Sequence, residues 1–282
     1  MNKPYYFYFD VVTKLFEAMG NGAQSVCLSL DLNLSEKIWQ IEADRLILDD
    51  DEFIDRKKLE SISLIQNKIF IFQNKALTPV EIRSDAYYKL VPTNSAPTLE
   101  INGIKMHRSK DIDPLTDAKL KTQLVVRTND QVLDTCGGLG YSALFALKAG
   151  ARKVISTEKS RAVIKIRNLN PWLKISEDKR LELIRTDITK EIDRFENGMF
   201  NSVIHDPPRF TSATGDLYGK KFYDALFRVM AVHSKLFHYT GSPKKIKTKD
   251  KFIKNTMKRL EYSGFKDIRF HDNLQGIYAQ KY

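Results

Sequence analysis

Beyond Asp113 the apolar residues change period several times, and each change marks a new element. Short runs rich in β-branched residues at 131–134, 153–157, 181–185, 202–206 and 235–239 predict strands, and stretches with helical spacing at 142–149, 161–169, 221–230 and 250–262 predict helices between them. Asp113-Pro114 has the chemistry of a helix start: an oxygen cap, then a proline whose missing N–H costs nothing in the first turn. Gly150 and Asn170-Pro171 stop two of the helices. Strand and helix alternating in this way predict a parallel sheet covered by helices on both faces. The last two strands, 266–270 and 276–281, are linked only by His271-Asp-Asn-Leu-Gln, which predicts a closing hairpin.

The first 110 residues carry a different pattern. A short amphipathic helix is predicted over 5–19, then brief strands at 25–32, 37–42, 45–48, 68–73, 80–83 and 87–91, with one helix near 55–62 interrupting them. Asn102-Gly103, between Leu99-Glu-Ile and Ile104-Lys-Met, is the dipeptide a tight hairpin prefers, since both central residues take positive φ. The expected architecture is α/β with two domains, a small β-rich one over 1–110 and a Rossmann-like one over 111–282.

The most specific stretch is Val132-Leu-Asp134-Thr-Cys136-Gly137-Gly138-Leu139-Gly140-Tyr141-Ser142, a strand running through a glycine-rich turn into a helix. Glycine lets the backbone approach a ligand closely, and the following helix start offers unpaired N–H groups. Acidic residues recur at successive strand ends: Asp134, then Glu158, then Asp187 after the third strand. An acid at the second position is placed to accept from both hydroxyls of a ribose. The plain alternative for all three is the capping of helices and turns. The sequence lacks a Gly-x-x-x-x-Gly-Lys-Ser/Thr loop, which argues against a nucleoside triphosphate.

After the fourth strand comes Val203-Ile204-His205-Asp206-Pro207-Pro208-Arg209-Phe210. The Asp206 side chain and the Pro207 carbonyl are two acceptors that can receive the hydrogens of an amine and aim its lone pair, and the paired prolines stiffen the backbone between them. His205 is either a packed strand residue or a base. Residues 210–221, polar and with two glycines, read as a loop over the substrate that carries Lys220. Leu236-Phe-His238-Tyr239-Thr-Gly241 ends the fifth strand at the same rim and offers His238. Lys244, Lys245, Lys247, Lys249, Lys251 and Lys254 form a basic run that either grips a nucleic-acid backbone or starts a solvated helix.

Composition narrows the classes. A chain of 282 residues with 42% hydrophobic and 11% aromatic content has enough apolar material for a packed core, which excludes a disordered protein. The apolar runs fall short of the roughly 20 residues of a membrane span, and the N-terminus lacks a secretory pattern, so a cytoplasmic protein with no membrane partner is expected. Cys27 and Cys136 stand apart without His or Cys at ligand spacing, so neither a disulfide framework nor a metal is expected. A formal charge of +11 favours a polyanion such as RNA as partner.

The stretch from Asp134 to Gly140 resembles the first motif of S-adenosylmethionine-dependent methyltransferases, and a hairpin ending a parallel sheet is the layout of their class I fold. That resemblance implies S-adenosylmethionine as cofactor. Asp134 would hold its ammonium, Gly138 and Gly140 would make room for the methionine part, Glu158 would bind the ribose and Asp187 would face the adenine amino group. Thr135, Tyr141, Lys159 and Ile188 complete the implied cofactor-binding set, and Cys136 stands where the family's first glycine is usual. Asp206-Pro207-Pro208 resembles the Asp/Asn-Pro-Pro-aromatic stretch of amino-methyltransferases, which implies Asp206, Pro207, Pro208, Arg209 and Phe210 as the catalytic set. Arg209 occupies the aromatic's place, so either Phe210 takes over by an offset of one residue or Arg209 itself binds a phosphate, carboxylate or base face. Methyltransferases acting on C5 of uracil also carry Asp-Pro-Pro-Arg, but they need a cysteine nucleophile, and neither cysteine here is placed for it.

Tyr88-Lys-Leu, Ala96-Pro-Thr-Leu-Glu-Ile-Asn-Gly-Ile-Lys-Met-His107-Arg108, Val132-Leu-Asp-Thr-Cys136, Asn170-Pro-Trp172, Ile204-His-Asp-Pro-Pro-Arg-Phe210 and Leu236-Phe-His-Tyr-Thr-Gly241 together resemble the predicted archaeal methyltransferases often labelled spermidine-synthase-like. The resemblance implies a fold and a cofactor and leaves the substrate open. Within it His107 and Arg108 either reach the substrate or belong to a hairpin that docks the two domains. Ala231-Val-His233-Ser stands where a Gly-Gly turn is usual. The expected function is N-methylation of an exocyclic amine in tRNA or rRNA. The alternatives are aminopropyl transfer to a polyamine, methylation of a small molecule, and a non-catalytic RNA- or protein-binding module. A polyamine site should be acidic, whereas Arg209, Lys220 and Lys221 flank this one, and intact Asp134, Glu158 and Asp206 speak against a non-catalytic module.

Overall fold

The computed structural model describes residues 3–49, 52–173, 178–241 and 246–282, with 246–250 described at the level of the backbone. Lys244, Lys245 and the side chains of Lys247 and Lys249 therefore lie outside the described residues. The chain packs as two compact units, one of 1–114 with 168–172, the other of 115–167 with 173–282.

The first unit is built from short antiparallel strands. They are β1 (Tyr5–Phe7), β2 (Ser25–Leu28), β3 (Lys37–Glu42), β4 (Arg45–Ile47), β5 (Phe53–Asp55), β6 (Phe70–Gln73), β7 (Ala76–Pro79), β8 (Glu81–Arg83), β9 (Tyr87–Val91), β10 (Thr98–Ile101) and β11 (Ile104–Lys105), with helices α1 (Phe9–Gly20) and α2 (Arg56–Leu59) among them. They make three sheets, ordered β1-β6-β7, β2-β3-β4-β5 and β11-β10-β9-β8. The helix expected from residue 5 begins only at Phe9. Tyr5, Tyr6, Phe7 and Tyr8 are all buried, and a run covered on both faces fits a buried strand better than an amphipathic helix. The Asn102-Gly103 turn is as expected, with φ of 48° and 81°. Asn168–Trp172 packs with this unit, where the Trp172 indole donates to the Leu32 carbonyl at 2.7 Å and the Leu169 carbonyl accepts from the Tyr6 hydroxyl at 2.7 Å.

The second unit holds α3 (Pro114–Val125), β12 (Gln131–Asp134), α4 (Tyr141–Lys148), β13 (Lys153–Glu158), α5 (Arg161–Asn168), β14 (Leu181–Arg185), α6 (Ile188–Glu191), β15 (Phe200–His205), α7 (Lys220–Val229), β16 (Met230–Tyr239), α8 (Ile246–Tyr262), β17 (Lys266–His271) and β18 (Gly276–Gln280). Their seven-stranded sheet runs β14-β13-β12-β15-β16-β18-β17, with β12 to β16 in parallel and β18 antiparallel to both its neighbours. This is the expected mostly parallel sheet with a closing hairpin, the class I methyltransferase layout. Strand order reverses at β12, so the carboxyl ends of β12 and β15 flank the topological switch point where open α/β sheets bind ligands. One core layer gathers Phe200, Tyr223, Leu226, Leu236, Leu260 and Phe265, and another gathers Val132, Ala143, Ala146, Val154, Ile204 and Phe237. The Ala231-Val-His233-Ser stretch lies inside β16, where His233 takes a φ of 63°.

Gly276 starts β18 against β16. A Cβ there would stand 2.4 Å from the Phe237 ring and 2.9 Å from the His238 carbonyl, which is backbone and cannot give way. Gly276→Ala should therefore lower the unfolding free energy in urea by about 1–3 kcal/mol. Gly20→Ala, with nothing within 4 Å, should stay within about 0.5 kcal/mol of the parent.

Candidate active site

Parallel pairing brings the strand ends together: Asp134 is opposite Ser156 on one side and Ile204 on the other. Asp134 is fully buried and accepts from the Ser156 hydroxyl at 2.8 Å and the Ser142 hydroxyl at 3.1 Å. Burial pushes its carboxyl up to about 6, against the opposing pull of Ser156, of the Arg167 guanidinium and of Ser142. The glycines divide by direction. A Cβ on Gly137 would stand 2.2 Å from the Ser156 hydroxyl, and one on Gly140 would stand 2.6 Å from the Arg167 guanidinium, so both face inward. Gly138, at φ 48°, meets nothing nearer than a carbonyl at 4.0 Å, which leaves its outer side open.

Glu158 closes the loop from the next strand, accepting the N–H of Gly138 at 3.0 Å and of Ser160 at 2.8 Å. Its carboxyl is raised by burial, which these N–H groups and Arg167 oppose. Asp187 caps α6, accepting from the Thr189 N–H at 3.2 Å and hydroxyl at 2.7 Å, and pairs with Lys159 at 2.9 Å. Thr135 and Ile188 are buried next in sequence to Asp134 and Asp187, and Tyr141 is buried at the start of α4. Burial holds the Cys136 thiol well above its usual range, with Glu158 next in effect, so it is no ready nucleophile.

Asp206 follows β15, with about a third of its side chain exposed (32%), and its Oδ2 accepts from Lys121 Nζ at 2.9 Å. Pro207 is buried, while Pro208, Arg209 and Phe210 are exposed. Tyr218 is buried and donates to the Pro208 carbonyl at 2.8 Å, and its ring meets Phe210 edge-on at 5.5 Å. The 210–221 segment is thus pinned from beneath.

His205 and His238 form the floor. The Leu217 carbonyl, 2.9 Å from His205 Nε2, can only accept, so Nε2 carries the proton and Nδ1 accepts from the Thr135 hydroxyl at 2.7 Å. Burial pushes its pKa down to about 4. Of the two readings, His205 is therefore the packed residue. His238, expected at the substrate's rim, is instead fully buried: its strand lies between β15 and β18, its ring stacks on His205 at 4.5 Å, and its Nε2 meets the Tyr223 hydroxyl at 2.9 Å. Lys220 starts α7 on the surface, with both oxygens of Asp224 at 2.8 Å. His107 and Arg108 belong to the first unit, where His107 Nδ1 lies 3.0 Å from the Thr98 hydroxyl.

No family model matches the sequence. Over 270 residues it is 37% identical to the uncharacterized protein MJ1233 of Methanocaldococcus jannaschii, a match that covers 94% of this chain and 92% of that one. The chain belongs to the MJ1233 family. A shorter match, 31% identical over 105 residues, is to ribosomal RNA large subunit methyltransferase I of Salmonella paratyphi B, covering 36% of this chain and 26% of that enzyme. Among solved structures, spermidine synthase in complex with the transition state analogue AdoDATO aligns at a TM-score of 0.57 with 18% identity, over 72% of this chain and 73% of that one. Spermidine synthase from Thermotoga maritima aligns at 0.56 with 19% identity, over 72% and 71%. This MJ1233-family chain therefore has a methyltransferase-like fold that spermidine synthases share.

Two residues of this family member escaped sequence reasoning. Arg167, on α5, and Lys121, on α3, are buried cations that face Asp134 and Asp206 respectively. Their signal was faint: each is a single basic residue within a helix that carries other basic residues. Among the described residues there is no cluster of three or more His, Cys, Asp or Glu fit to hold a metal, and no helix is long and apolar enough to cross a membrane.

The floor histidine ties stability to pH. An unfolded His205 titrates near 6.5 and the folded one near 4, so the unfolded chain takes up the proton more readily. Its contribution is complete above about 6.5 and is lost as pH falls toward 4, by about 3 kcal/mol in all. Urea unfolding between pH 7 and 4 should show that decline, and His205→Gln should flatten it.

Proposed function

We propose that this chain is an S-adenosylmethionine-dependent methyltransferase that N-methylates an exocyclic amine in RNA. The carrying observation is that Asp206-Pro207-Pro208 leaves β15 directly beside the glycine loop of β12, at the switch point of the sheet. The donor set suits the cofactor. The open outer side of Gly138 is a cradle that a Cβ would fill, Asp134 is an acceptor for an ammonium, and Glu158 stands at the neighbouring strand end for a ribose.

S-adenosylmethionine bound there supplies an electrophilic methyl group. The protein's own task is alignment and exclusion of water. Asp206 and the Pro207 carbonyl accept the amine's hydrogens and aim its lone pair. Phe210, about half exposed (54%), offers a ring edge or face to a base, and Arg209 a charge to a phosphate. Residues 111–282 form the catalytic domain in this reading, with 1–110 helping to hold the RNA. The charge of +11 and the partial likeness to a ribosomal RNA methyltransferase support RNA as the acceptor. The fold likeness to spermidine synthase keeps aminopropyl transfer as the competing reading.

Calorimetry with S-adenosylmethionine and its decarboxylated analogue separates the two. The intact cofactor should bind more tightly, and Asp134→Ala and Glu158→Ala should each weaken it by about 10- to 100-fold, the worth of a hydrogen bond to a charged group. Preference for the analogue would replace the methyltransferase reading with the aminopropyl one, and binding of neither would reject both. Tritiated methyl transfer to unmodified tRNA and rRNA transcripts should fall by about 100-fold or more in Asp206→Ala.

A further inference from the structure

Lysine is rarely buried unless paired, and Lys121 is buried deep in the second unit, only 5% exposed. It projects from α3 to the carboxyl end of β15, where its Nζ lies 2.7 Å from Asp117 Oδ2, one helical turn away, and 2.9 Å from Asp206 Oδ2. The ammonium also sits 4.0 Å over the ring of Tyr239 from β16. Other groups that bear electrostatically on Asp206 are Asp134 and Cys136 of the glycine loop and Tyr218. Burial alone would weaken the hold of Lys121 on its proton. Asp206 and Asp117 outweigh that and raise it above the ordinary lysine range, so Lys121 is a fixed cation.

We infer that Lys121 selects the charge of the acceptor: by holding one oxygen of Asp206, its ammonium makes that carboxylate serve a neutral amine and reject a protonated one. Lys121 acts in this way only if the methyl-transfer reading of the site holds. A carboxylate already paired with an ammonium is a poor base, yet an aliphatic ammonium must lose a proton before its nitrogen can attack. The exocyclic amine of a nucleobase is uncharged at neutral pH and asks only for an acceptor. Its lone pair forms the N–C bond as the C–S bond breaks and leaves its electrons on sulfur. The methylated nitrogen, now strongly acidic, sheds its extra proton past the exposed part of Asp206 to water. Lys121 is thus a positioning residue, reaching the substrate through Asp206.

The test uses the full chain, calorimetry with S-adenosylmethionine, and tritiated methyl transfer to unmodified tRNA and rRNA transcripts and to spermidine between pH 5.5 and 9. Wild type should favour RNA over spermidine by about a hundredfold or more, because well under about 1% of an aliphatic amine is unprotonated near neutral pH. Lys121→Met should move the acid limb of the RNA reaction up by about one to three pH units, and Lys121→Arg should bring it back. If Lys121→Met does not fold by circular dichroism, the wild-type preference and the Lys121→Arg profile decide. Spermidine accepted as well as RNA, or a folded Lys121→Met with an unmoved acid limb, overturns the role of Lys121 alone. A wild type that binds no S-adenosylmethionine, or binds it and methylates no RNA, defeats the methyl-transfer reading and the role of Lys121 with it.

Discussion

Charge buried at the carboxyl edge of the sheet is the constraint on which the rest of the second unit depends. Asp117, Lys121, Asp134 and Arg167 are all at most 5% exposed, and none can remain charged there alone, because a low-dielectric interior penalises an isolated ion by several kcal/mol. The parallel strands deliver Asp134 and Asp206 to one edge, and the helices that pack beside them deliver the cations together with Asp117. Lys121 comes from α3 and Arg167 from α5. The helices on this face therefore supply countercharge as well as apolar cover, and their rotation about their own axes is fixed by where that charge must point.

The neutral groups beneath follow the same rule by another route. His205 and His238 stack at 4.5 Å in full burial, and both are kept uncharged by it. Each has its ring nitrogens facing a hydroxyl or a carbonyl, Thr135 and Leu217 for one, Tyr223 and the His205 carbonyl for the other. Polar floors of this kind are specific only when satisfied, and here every ring nitrogen has a partner. Tyr218 joins the floor to the rim, because its ring packs on His238 at 5.3 Å while its hydroxyl holds the Pro208 carbonyl. A change in the histidine pair would thus be felt in the segment that carries Arg209 and Phe210.

Much of this was legible in the chain. Period and punctuation located six of the seven strands of the second unit's sheet within two residues, and only the second half of β16, whose first residues lie outside the apolar run at 235–239. The acidic strand ends and the Asp206-Pro207-Pro208 stretch were visible because their meaning lies in local order. The first unit was harder. β7 consists of mostly exposed residues, Ala76–Pro79, with no apolar face to betray it, and β1 is apolar throughout, which hides its period. His238 looked like a rim residue because it ends a strand, yet burial by neighbouring strands on both sides is a property of sheet order. Lys121 and Arg167 were invisible for a related reason: a cation in a helix declares itself only when the third dimension puts a carboxylate in front of it.

The two cations have a common arrangement. Arg167 lies behind the loop that ends in Gly140, bearing on Asp134 and Glu158, and Lys121 holds Asp206. In both places a buried positive charge faces a carboxylate at a strand end. A carboxylate so held is an acceptor fixed in place. A site built from such acceptors suits chemistry in which the cofactor already carries the driving force and the acceptor nitrogen already has its lone pair. Orientation is then the protein's main contribution, and rigid charge pairs supply it better than a flexible side chain in water would.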